Sequence, residues 1–384
     1  MVRNVLVTVL ALALLGAVAA GSEEIKAGFI YVGPIGDYGW SHAHNEARLM
    51  LEAAFPWLET IYAEAVPEGE VETYIDQMVR QGCDVVFTTS FGFMQGTVAA
   101  APRYPDVIFA HCSGFQRAPN LATYMADFYQ VYYLNGLMAG ALTESGKIGY
   151  VGAFPIPELK RHINAFALGV REVNPEATVH VRWIEEWFNP AAAKEATEAL
   201  IAAGCDVFAF TEDSPTVVQV AADRGLPSFA HYSPMYRFAP EYCVSGQLVH
   251  WEAIYKDFLA KVHAGTYTAD NLEDVDYWWL LTQKAVEMGA KPGMPINPVF
   301  EDELKAYVVD HPTFGQISVY DLVFTRLGQM GDPGVTFDPF QGPIYDRNGT
   351  LRVPAGNWLS VDSLITMEWA AAGVEGPWPG EPTE

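Results

Sequence analysis

The fold is decided by a segment that the chain contains twice, "GCDVVFTTSFG" at Gly82–Gly92 and "GCDVFAFTEDS" at Gly204–Ser214. Gly, Cys, Asp, Val and a later Thr recur at identical spacing. Each copy follows a stretch with apolar residues at helical spacing, and each Gly suits a helix C-terminus, where the backbone turns left-handed. An unbroken apolar run then follows, which is typical of a strand covered on both faces of a parallel sheet. The repeated unit predicts two similar lobes.

The alternation of strands and helices extends to both sides of each copy. Strands are predicted at 27–32, 60–64, 84–89, 107–111, 122–126, 147–151, 178–184, 206–210, 227–231 and 243–248. Helices are predicted at 41–54, 70–81, 93–101, 158–173, 191–203, 215–224 and 251–264. This pattern predicts an α/β fold with two doubly wound parallel-sheet lobes joined by a hinge, a type I periplasmic-binding-protein arrangement.

The same pattern predicts the limits of the domains. We assign residues 25–145 to an N-terminal lobe, 146–265 to a C-terminal lobe, and 266–384 to a return segment and tail. The tail is expected to brace the hinge and the first lobe. It contains a predicted strand at 276–282 and the pair Asn348-Gly349, which is a hairpin-turn signal.

Residues 1–21 have the pattern of a secretory signal peptide, with a basic start, an apolar run and a small-residue cleavage site between Ala19 and Ser22. An uncleaved membrane anchor is the alternative, although the run Val5–Ala20 is short for a span, which needs about 20 residues. No Cys stands at the cleavage site, so a lipid anchor is not expected. We predict a free, monomeric protein exported to the periplasm.

The net charge disfavours two classes of binding partner, and the positions of the cysteines disfavour disulfide bonds. The formal net charge is −25, which repels nucleic acid and anionic membranes. Export permits disulfides, but Cys83 and Cys205 occupy equivalent positions in different lobes, beyond bridging distance. Together with Cys112 and Cys243 they are predicted to be buried, unpaired thiols.

Candidate ligand contacts lie beyond the carboxyl ends of the strands, where open parallel sheets bind ligands. The two repeats diverge there, after Thr89 and Thr211, which indicates that the lobes offer different chemistry to one ligand held between them. The strand-end residues combine aromatic rings and carboxylates from both lobes, without Lys or Arg. From them we select Asp37, Trp40, Ser90, Phe91, Asp127, Trp187, Glu212, Asp213, Tyr232, His250 and Trp251.

This mixture suits a flat, neutral or cationic ring that carries N–H or O–H donors. Aromatic pairs contribute about 0.5–1.5 kcal/mol beyond area burial, and carboxylates accept hydrogen bonds from amines and hydroxyls. A phosphate site would use helix N-termini and basic groups instead. A structural explanation stands beside the functional one. Aromatic residues make up 13% of the chain, so rings are expected in any loop, and Asp213 before Pro215 has the position of an N-cap.

Six stretches resemble the basic membrane protein (Bmp) family of ABC-transporter substrate-binding proteins, relatives of the purine nucleoside receptors. They are "VGPIGDYGWSHAHNEAR" (32–48), "VFTTSFGFM" (86–94), "GKIGYVGAFPIPELKRHINAF" (146–166), "WFNPAAAKEA" (187–196), "TEDSPTVVQVAADRG" (211–225) and "FDPFQGPIYDRNGTLRVPAG" (337–356). The resemblance implies two lobes that close on a purine base or nucleoside. It further implies delivery to a membrane permease without catalysis or a cofactor.

The resemblance also implies roles for individual residues. The aromatic residues that stack on the purine in the family correspond to Trp40 and Trp187. Asp127 matches the family's acid after the last strand of the first lobe, and the loop 212–214 matches a second binding loop. Arg161, in "KRHINAF", matches a signature near the hinge, where hinge packing and ligand contact are both open.

One departure from the family concerns the ribose. Nucleoside-binding relatives place an acid where Tyr232 and Ser233 stand in this chain. The resemblance therefore leaves a free base, adenine or another purine, as an alternative to a nucleoside.

Two other functions have weaker support. A nucleoside hydrolase or NAD-dependent dehydrogenase is not expected, because no Gly-x-Gly-x-x-Gly follows the first strand and no Gly-x-Ser-x-Gly or His-Glu-x-x-His occurs. The stretch "HAHNE" offers His42, His44 and Glu46 for a metal ion. On a helix the two histidines point about 200° apart, and only His42 and Glu46 share a face, so no metal site is predicted.

Overall fold

The computed structural model describes residues 24–381, so the predicted signal peptide lies outside the described residues. In chain order the strands are β1 (Ile25–Ile30), β2 (Leu58–Ala63), β3 (Val85–Thr88), β4 (Ile108–Cys112), β5 (Leu121–Ala126), β6 (Lys147–Gly152), β7 (Thr178–Trp183), β8 (Val207–Thr211), β9 (Ser228–Ala230), β10 (Cys243–Val249), β11 (Asp276–Trp279), β12 (Val286–Met288), β13 (Val308–His311), β14 (Gly315–Ser318), β15 (Ile344–Tyr345), β16 (Leu351–Val353) and β17 (Val374–Glu375). The helices are α1 (Trp40–Ala54), α2 (Val71–Arg80), α3 (Met94–Ala100), α4 (Tyr129–Leu142), α5 (Pro157–Val173), α6 (Pro190–Ala202), α7 (Thr216–Ala222), α8 (Trp251–His263), α9 (Glu301–Ala306), α10 (Val319–Gly331) and α11 (Val361–Ile365).

Two large sheets form the two lobes. The first has the order β11-β5-β4-β3-β1-β2, and its neighbouring strands are parallel. The second has the order β12-β10-β9-β8-β6-β7-β17, in which β12 pairs antiparallel with β10 and the other pairs are parallel. The inner orders β5-β4-β3-β1-β2 and β10-β9-β8-β6-β7 are the same. The predicted fold of two doubly wound parallel-sheet lobes is confirmed.

The repeated segment has the same place in each sheet. Strand β3 lies between β4 and β1, and β8 lies between β9 and β6. Gly82 and Gly204, which follow α2 and α6, have φ values of 81° and 92°, the left-handed conformation expected at a helix C-terminus. Asp84 and Asp206 each donate a backbone N–H to the neighbouring strand β1 or β6, at 2.8 and 3.1 Å. The shared residues therefore build the scaffold of each lobe.

Helix α4 was not predicted, and every one of its residues is buried. It follows β5 of the first sheet but packs along α5, which follows β6 of the second sheet. Gly136 of α4 and Gly169 of α5 permit the close approach, because a Cβ at either position would collide with a backbone carbonyl of the other helix. Helix α8 crosses in the opposite sense: it follows β10 of the second sheet and packs on α1 of the first lobe.

The tail reaches both lobes. Strand β11 extends the first sheet, whereas β12 and β17 extend the second. The predicted lobe limits at residues 145 and 265 stay predictions, and helices α4 and α8 pack across them. The predicted hairpin around Gly349 (φ 85°) is formed by the antiparallel pair β15 and β16.

The cysteines and the lengths of the helices complete the description of the fold. The four cysteines are buried and free, as predicted. Within residues 24–381, no helix is both long enough and apolar enough to cross a bilayer.

Candidate ligand-binding site

A cavity lies between the lobes, at the carboxyl ends of both sheets. The loops after β1, β3 and β4 line it from the first lobe, and the loops after β6, β7, β8 and β9 line it from the second. The lining residues are Val32, Trp40, Ser90, Phe91, Ser113, Glu158, Trp187, Asp213 and Tyr232. The cavity volume is about 10 Å³. That is room for roughly one water molecule, so the lobes are packed closely together.

Two tryptophans reach the cavity from opposite lobes. The indole N–H of Trp40, at the start of α1, donates to the carbonyl of Thr89. Its ring meets that of Tyr232, from the second lobe, edge to face at 5.2 Å between centroids. Trp187, after β7, donates its indole N–H to Glu68 of the first lobe at 3.1 Å. Both rings are therefore held by contacts that include the opposite lobe.

The lobes also touch through their backbones beside the cavity. The backbone N–H of Trp40 donates to Asp213 Oδ1 across the cleft at 3.3 Å. Gly39, the preceding residue, lies against the backbone of Asp213, and a Cβ at Gly39 would lie 2.5 Å from the Cα of Asp213. The backbone N–H of Asp213 in turn donates to the carbonyl of Trp187 at 2.8 Å. The first lobe thus contacts the loop that positions Trp187.

Three buried carboxyl groups meet at this contact, Asp37 from the first lobe and Glu212 and Asp213 from the second. Asp37 accepts backbone N–H groups at the start of α1. Glu212 Oε2 and Asp213 Oδ2 have no hydrogen-bond partner within residues 24–381. Burial raises the pKa of Asp37 to about 7, against the effect of its N–H donors. Burial, then the charges of Asp37 and Glu212, raise the pKa of Asp213 well above its usual range.

The stability of the protein is expected to decrease as the pH rises through about 7, because of this acid set. The pKa of Asp37 is about 7 in the folded chain and about 4 in the unfolded chain. The folded chain therefore binds more protons between these values, so this contribution is complete below pH of about 4 and is lost through about 7. Thermal unfolding can be measured from a pH of about 4.5 to a pH of about 8.5, which covers most of the interval between the two pKa values. The decrease in unfolding temperature over this range should be smaller for Asp37→Asn than for wild type.

An exposed acid provides the control for that measurement. Asp270 lies in an exposed loop, so Asp270→Asn should retain the wild-type dependence on pH. A full wild-type decrease in Asp37→Asn would contradict the assignment of this pH dependence to Asp37.

Comparison with known proteins identifies the family. The sequence model of the Bmp family, described as ABC transporter substrate-binding protein PnrA-like, matches residues 24–311. The chain belongs to the Bmp family. A purine-binding protein of Brucella abortus is 35% identical to it over 364 residues, which cover 94% of this chain and 96% of that protein. A putative ABC transporter glucose-binding protein of Haloferax volcanii is 43% identical over 248 residues, which cover 65% of this chain and 63% of that protein.

A solved structure agrees with the family in fold. An ABC transporter solute-binding protein of Conexibacter woesei superposes with a TM-score of 0.60 at 18% identity, covering 80% of this chain and 96% of that one. The likeness concerns the fold, and the family model describes this Bmp member as an ABC-transporter substrate-binding protein. Such proteins are extracytoplasmic and deliver small ligands to membrane permeases.

The structure brings half of the residues selected from the sequence to the cavity of this Bmp member. These are Trp40, Ser90, Phe91, Trp187, Asp213 and Tyr232. Asp213 does not cap α7, since that helix has no side-chain cap and Asp213 Oδ1 accepts from Trp40 instead. Asp37 holds the start of α1, and Glu212 Oε1 accepts from Ser214 within its own loop at 3.0 Å.

Asp127 and Arg161 lie at the hinge, away from the lining of this cavity. Arg161 Nε donates to Asp127 Oδ2 at 2.7 Å, and His162 Nε2 lies 3.3 Å from the other carboxylate oxygen. Burial acts to raise the pKa of Asp127, but the charges of Arg161 and His162 hold it below its usual range. Asp127 also donates its backbone N–H to β11. This pair joins the end of the first sheet to α5 of the second lobe.

His250 and Trp251 also lie outside the cavity lining. Trp251 is buried and stacks on His44 of α1 at 4.3 Å between ring centroids. His250 is partly exposed and lies 3.2 Å from Glu252 and 3.1 Å from Glu287. These two residues hold α8 against the first lobe and the edge strand β12.

Three lining residues, Val32, Ser113 and Glu158, were not selected from the sequence. Val32 and Ser113 belong to strand-end positions, so the rule that found Trp40 also reaches them. Glu158 opens α5, where an acid has the ordinary explanation of a favourable helix dipole. The hydroxyl of Ser113 donates to the Glu158 carboxylate from the other lobe. The sequence around Glu158 does not indicate this contact.

No triad of His, Cys, Asp or Glu side chains suited to a metal ion occurs in the described part of the chain. His42 and His44 have separate partners, the carbonyl of Ile35 at 3.0 Å and the hydroxyl of Tyr255 at 2.6 Å.

Proposed function

We propose that this substrate-binding protein captures a purine base or nucleoside, with the base stacked between Trp40 and Trp187. One observation carries the proposal: these two indoles come from opposite lobes and line a single cavity together with the carboxylate of Asp213. The purine-binding relative from Brucella abortus supports the same ligand class.

The chemistry of the lining agrees with such a ligand. Stacking of a base on an aromatic side chain contributes roughly 1–3 kcal/mol. Asp213 Oδ2 is buried without a protein partner in the described chain, so it is available to an N–H group on the ligand. Neither Lys nor Arg lines the cavity among residues 24–381, which disfavours an anionic guest.

The proposed mechanism is capture by closure, without catalysis. Because the cavity has room for about one water molecule as it stands, a purine enters while the lobes are apart and the side chains adjust around it. Contacts such as Trp40 N–H to Asp213 form only when the lobes meet. A ligand that bridges the lobes therefore favours the closed form. A monomer free in the periplasm would present that form to the permease.

Substitution of Trp187 by alanine is expected to weaken purine binding about 5- to 150-fold, the equivalent of the roughly 1–3 kcal/mol of stacking. Isothermal titration calorimetry with adenine, guanine, adenosine and inosine measures the loss. Trp57→Ala is the matched control, because Trp57 is also partly buried but lies before β2, at the opposite edge of the sheet. Its purine affinity should equal that of wild type.

The glucose-binding relative from Haloferax volcanii supports a second candidate, a sugar. Aromatic rings and carboxylates also suit a ring that carries hydroxyl donors. Titration of wild type with glucose separates the two candidates. Binding of glucose without any purine would replace the proposal, and an unchanged purine affinity in Trp187→Ala would remove the stacking assignment.

A further inference from the structure

A contact between the two lobes lies outside the lining of the cavity. Tyr38 stands between β1 and α1 of the first lobe, and Arg237 and Phe238 follow β9 of the second lobe. The ring of Tyr38 meets the ring of Phe238 edge to face, at 5.3 Å between centroids. The guanidinium carbon of Arg237 lies 4.3 Å from the centroid of the Tyr38 ring. We call these three residues the interlobe latch.

The first lobe holds Tyr38 in place by its own contacts. The φ of Tyr38 is 63°, a left-handed conformation that is uncommon for a residue with a side chain. The carboxylate of Asp37 fixes the backbone around it, because Oδ1 accepts the N–H of Gly39 at 2.8 Å and that of His42 at 3.0 Å. The Tyr38 ring also packs on the His42 ring, at 5.0 Å between centroids. None of these contacts needs the second lobe.

The second lobe holds the other half of the latch in the same way. Met235 is fully buried, and its carbonyl accepts the backbone N–H of Phe238 at 2.9 Å. The backbone N–H of Tyr236 donates to the carbonyl of Ala290 at 3.1 Å. The exposed Arg237 lies over the ring of Phe238, at 4.8 Å from the centroid. Because both halves are ordered within their own lobes, the latch forms at a low cost in conformational entropy.

The latch joins the lobes directly and without the ligand. Of the described residues that line the cavity, none belongs to the latch. Gly39, the residue after Tyr38, lies against the backbone of Asp213. The carbonyl of Gly39 accepts from the hydroxyl of Ser233 at 3.4 Å. The loop that carries Tyr38 therefore meets two loops of the second lobe by protein contacts alone.

The latch acts on the equilibrium between the open and the closed form. Its contacts are present when the lobes meet and absent when they are apart. An exposed cation–π contact changes such an equilibrium about 2- to 5-fold, and an aromatic pair changes it about 2- to 12-fold. In a protein that is mostly open without ligand, the affinity for any ligand of the closed form increases by the same factor.

We propose that Tyr38 and Arg237 are positioning residues, which raise the affinity for the ligand by favouring the closed form and do not touch the ligand. This goes beyond the proposed purine binding, because it holds for any ligand that the two lobes enclose. It also gives the latch a signature that a ligand contact lacks. Loss of the latch changes the affinity for every ligand by the same factor.

The first test needs no ligand. Arg237→Met removes the charge at an exposed position, so the variant is expected to fold. Dyes attached through Glu46→Cys in α1 and Lys194→Cys in α6, both exposed positions, report the ratio of closed to open molecules by single-molecule fluorescence energy transfer. Arg237→Met should lower this ratio about 2- to 5-fold. Arg224→Met removes another exposed cation of the second lobe and should leave the ratio unchanged.

The second test compares ligands by calorimetry. Arg237→Met should weaken the binding of adenine and of adenosine by the same factor, about 2- to 5-fold. Tyr38→Leu removes the ring that both residues of the second lobe contact, so it should weaken both ligands equally, about 5- to 70-fold. When Tyr38→Leu is already present, Arg237→Met should cause no further loss, because its partner ring in the other lobe is gone.

The outcomes separate the latch from the proposed function. A wild-type ratio in Arg237→Met, or an equal decrease in Arg224→Met, would overturn the latch. Losses that differ between adenine and adenosine would also overturn it, since they indicate a contact with the ligand, and so would full additivity in the double variant. If no purine binds but Arg237→Met still lowers the ratio of closed to open molecules, the purine proposal fails and the latch stands.

Discussion

Gly39→Ala is expected to weaken purine binding about 5- to 150-fold while the ligand-free protein unfolds at nearly the wild-type temperature. The added Cβ would lie 2.5 Å from the Cα of Asp213 and 2.9 Å from its carbonyl carbon. These are backbone atoms, so no side-chain rotation relieves the collision. Overpacking of this kind costs about 1–3 kcal/mol, which corresponds to that change in affinity. The open form avoids the collision. Part of the free energy of ligand binding must therefore offset the cost of overpacking when the lobes close.

Gly36 provides a matched control in the same loop. A Cβ at Gly36 has no atom within 4 Å, so Gly36→Ala should bind purine like wild type. Small-angle scattering adds a direct readout of closure. The radius of gyration should decrease on ligand addition in wild type and Gly36→Ala, and decrease less in Gly39→Ala at the same ligand concentration. If Gly39→Ala closes and binds as wild type does, the contact between Gly39 and Asp213 does not belong to the ligand-bound state.

The strands and helices around the repeat could be predicted because their signals are local. The helix predicted at 158–173 is observed at Pro157–Val173, and the strand predicted at 27–32 is observed at Ile25–Ile30. Gly82 and Gly204 mark helix ends by their own backbone preference. Such elements need no knowledge of the partner on which they pack.

Helix α4 could not be predicted in the same way. Its fourteen residues are buried on all sides, so the polar face that makes a helical period visible is missing. Its path into the other lobe depends on the close approach of Gly136 to α5. That contact joins residues far apart in the chain, and it leaves no mark in the sequence of α4 alone.

The candidate site was predictable to the extent that it follows from topology. Trp40, Trp187 and Asp213 follow the carboxyl ends of strands. Because these ends lie at the same edge of a parallel sheet, the positions of the three residues near the cleft can be predicted without knowledge of their side-chain contacts. The same rule cannot show that Glu158 meets Ser113 across the cleft, since that contact depends on how the lobes come together. The rule also selected Asp127, whose carboxylate pairs with Arg161 of α5 instead of lining the cavity.

The buried pair of Asp127 and Arg161 is expected to stabilise the protein strongly. Asp127 is fully buried and Arg161 is 3% exposed. Removal of one partner leaves the other charge uncompensated in the interior, which costs about 3–5 kcal/mol. Asp127→Asn and Arg161→Met should each lower the free energy of unfolding by that amount, measured by urea denaturation. The double variant should lose less than the sum of the two, because neither charge is then left alone.

An exposed ion pair separates this effect from the general consequence of losing a charge. Lys305 pairs with Glu301 at 2.7 Å, and its side chain is 45% exposed, so Lys305→Met should leave the free energy of unfolding nearly unchanged. The resemblance to the family implied that Asp127 contacts the ligand, and the two roles give different results. A hinge pair lowers stability in the absence of ligand, whereas a ligand contact lowers purine affinity without a loss of stability in the ligand-free protein. If Asp127→Asn costs less than about 1 kcal/mol but abolishes binding, the carboxylate contacts the ligand in the ligand-bound protein, and the ion pair seen here belongs to the ligand-free form.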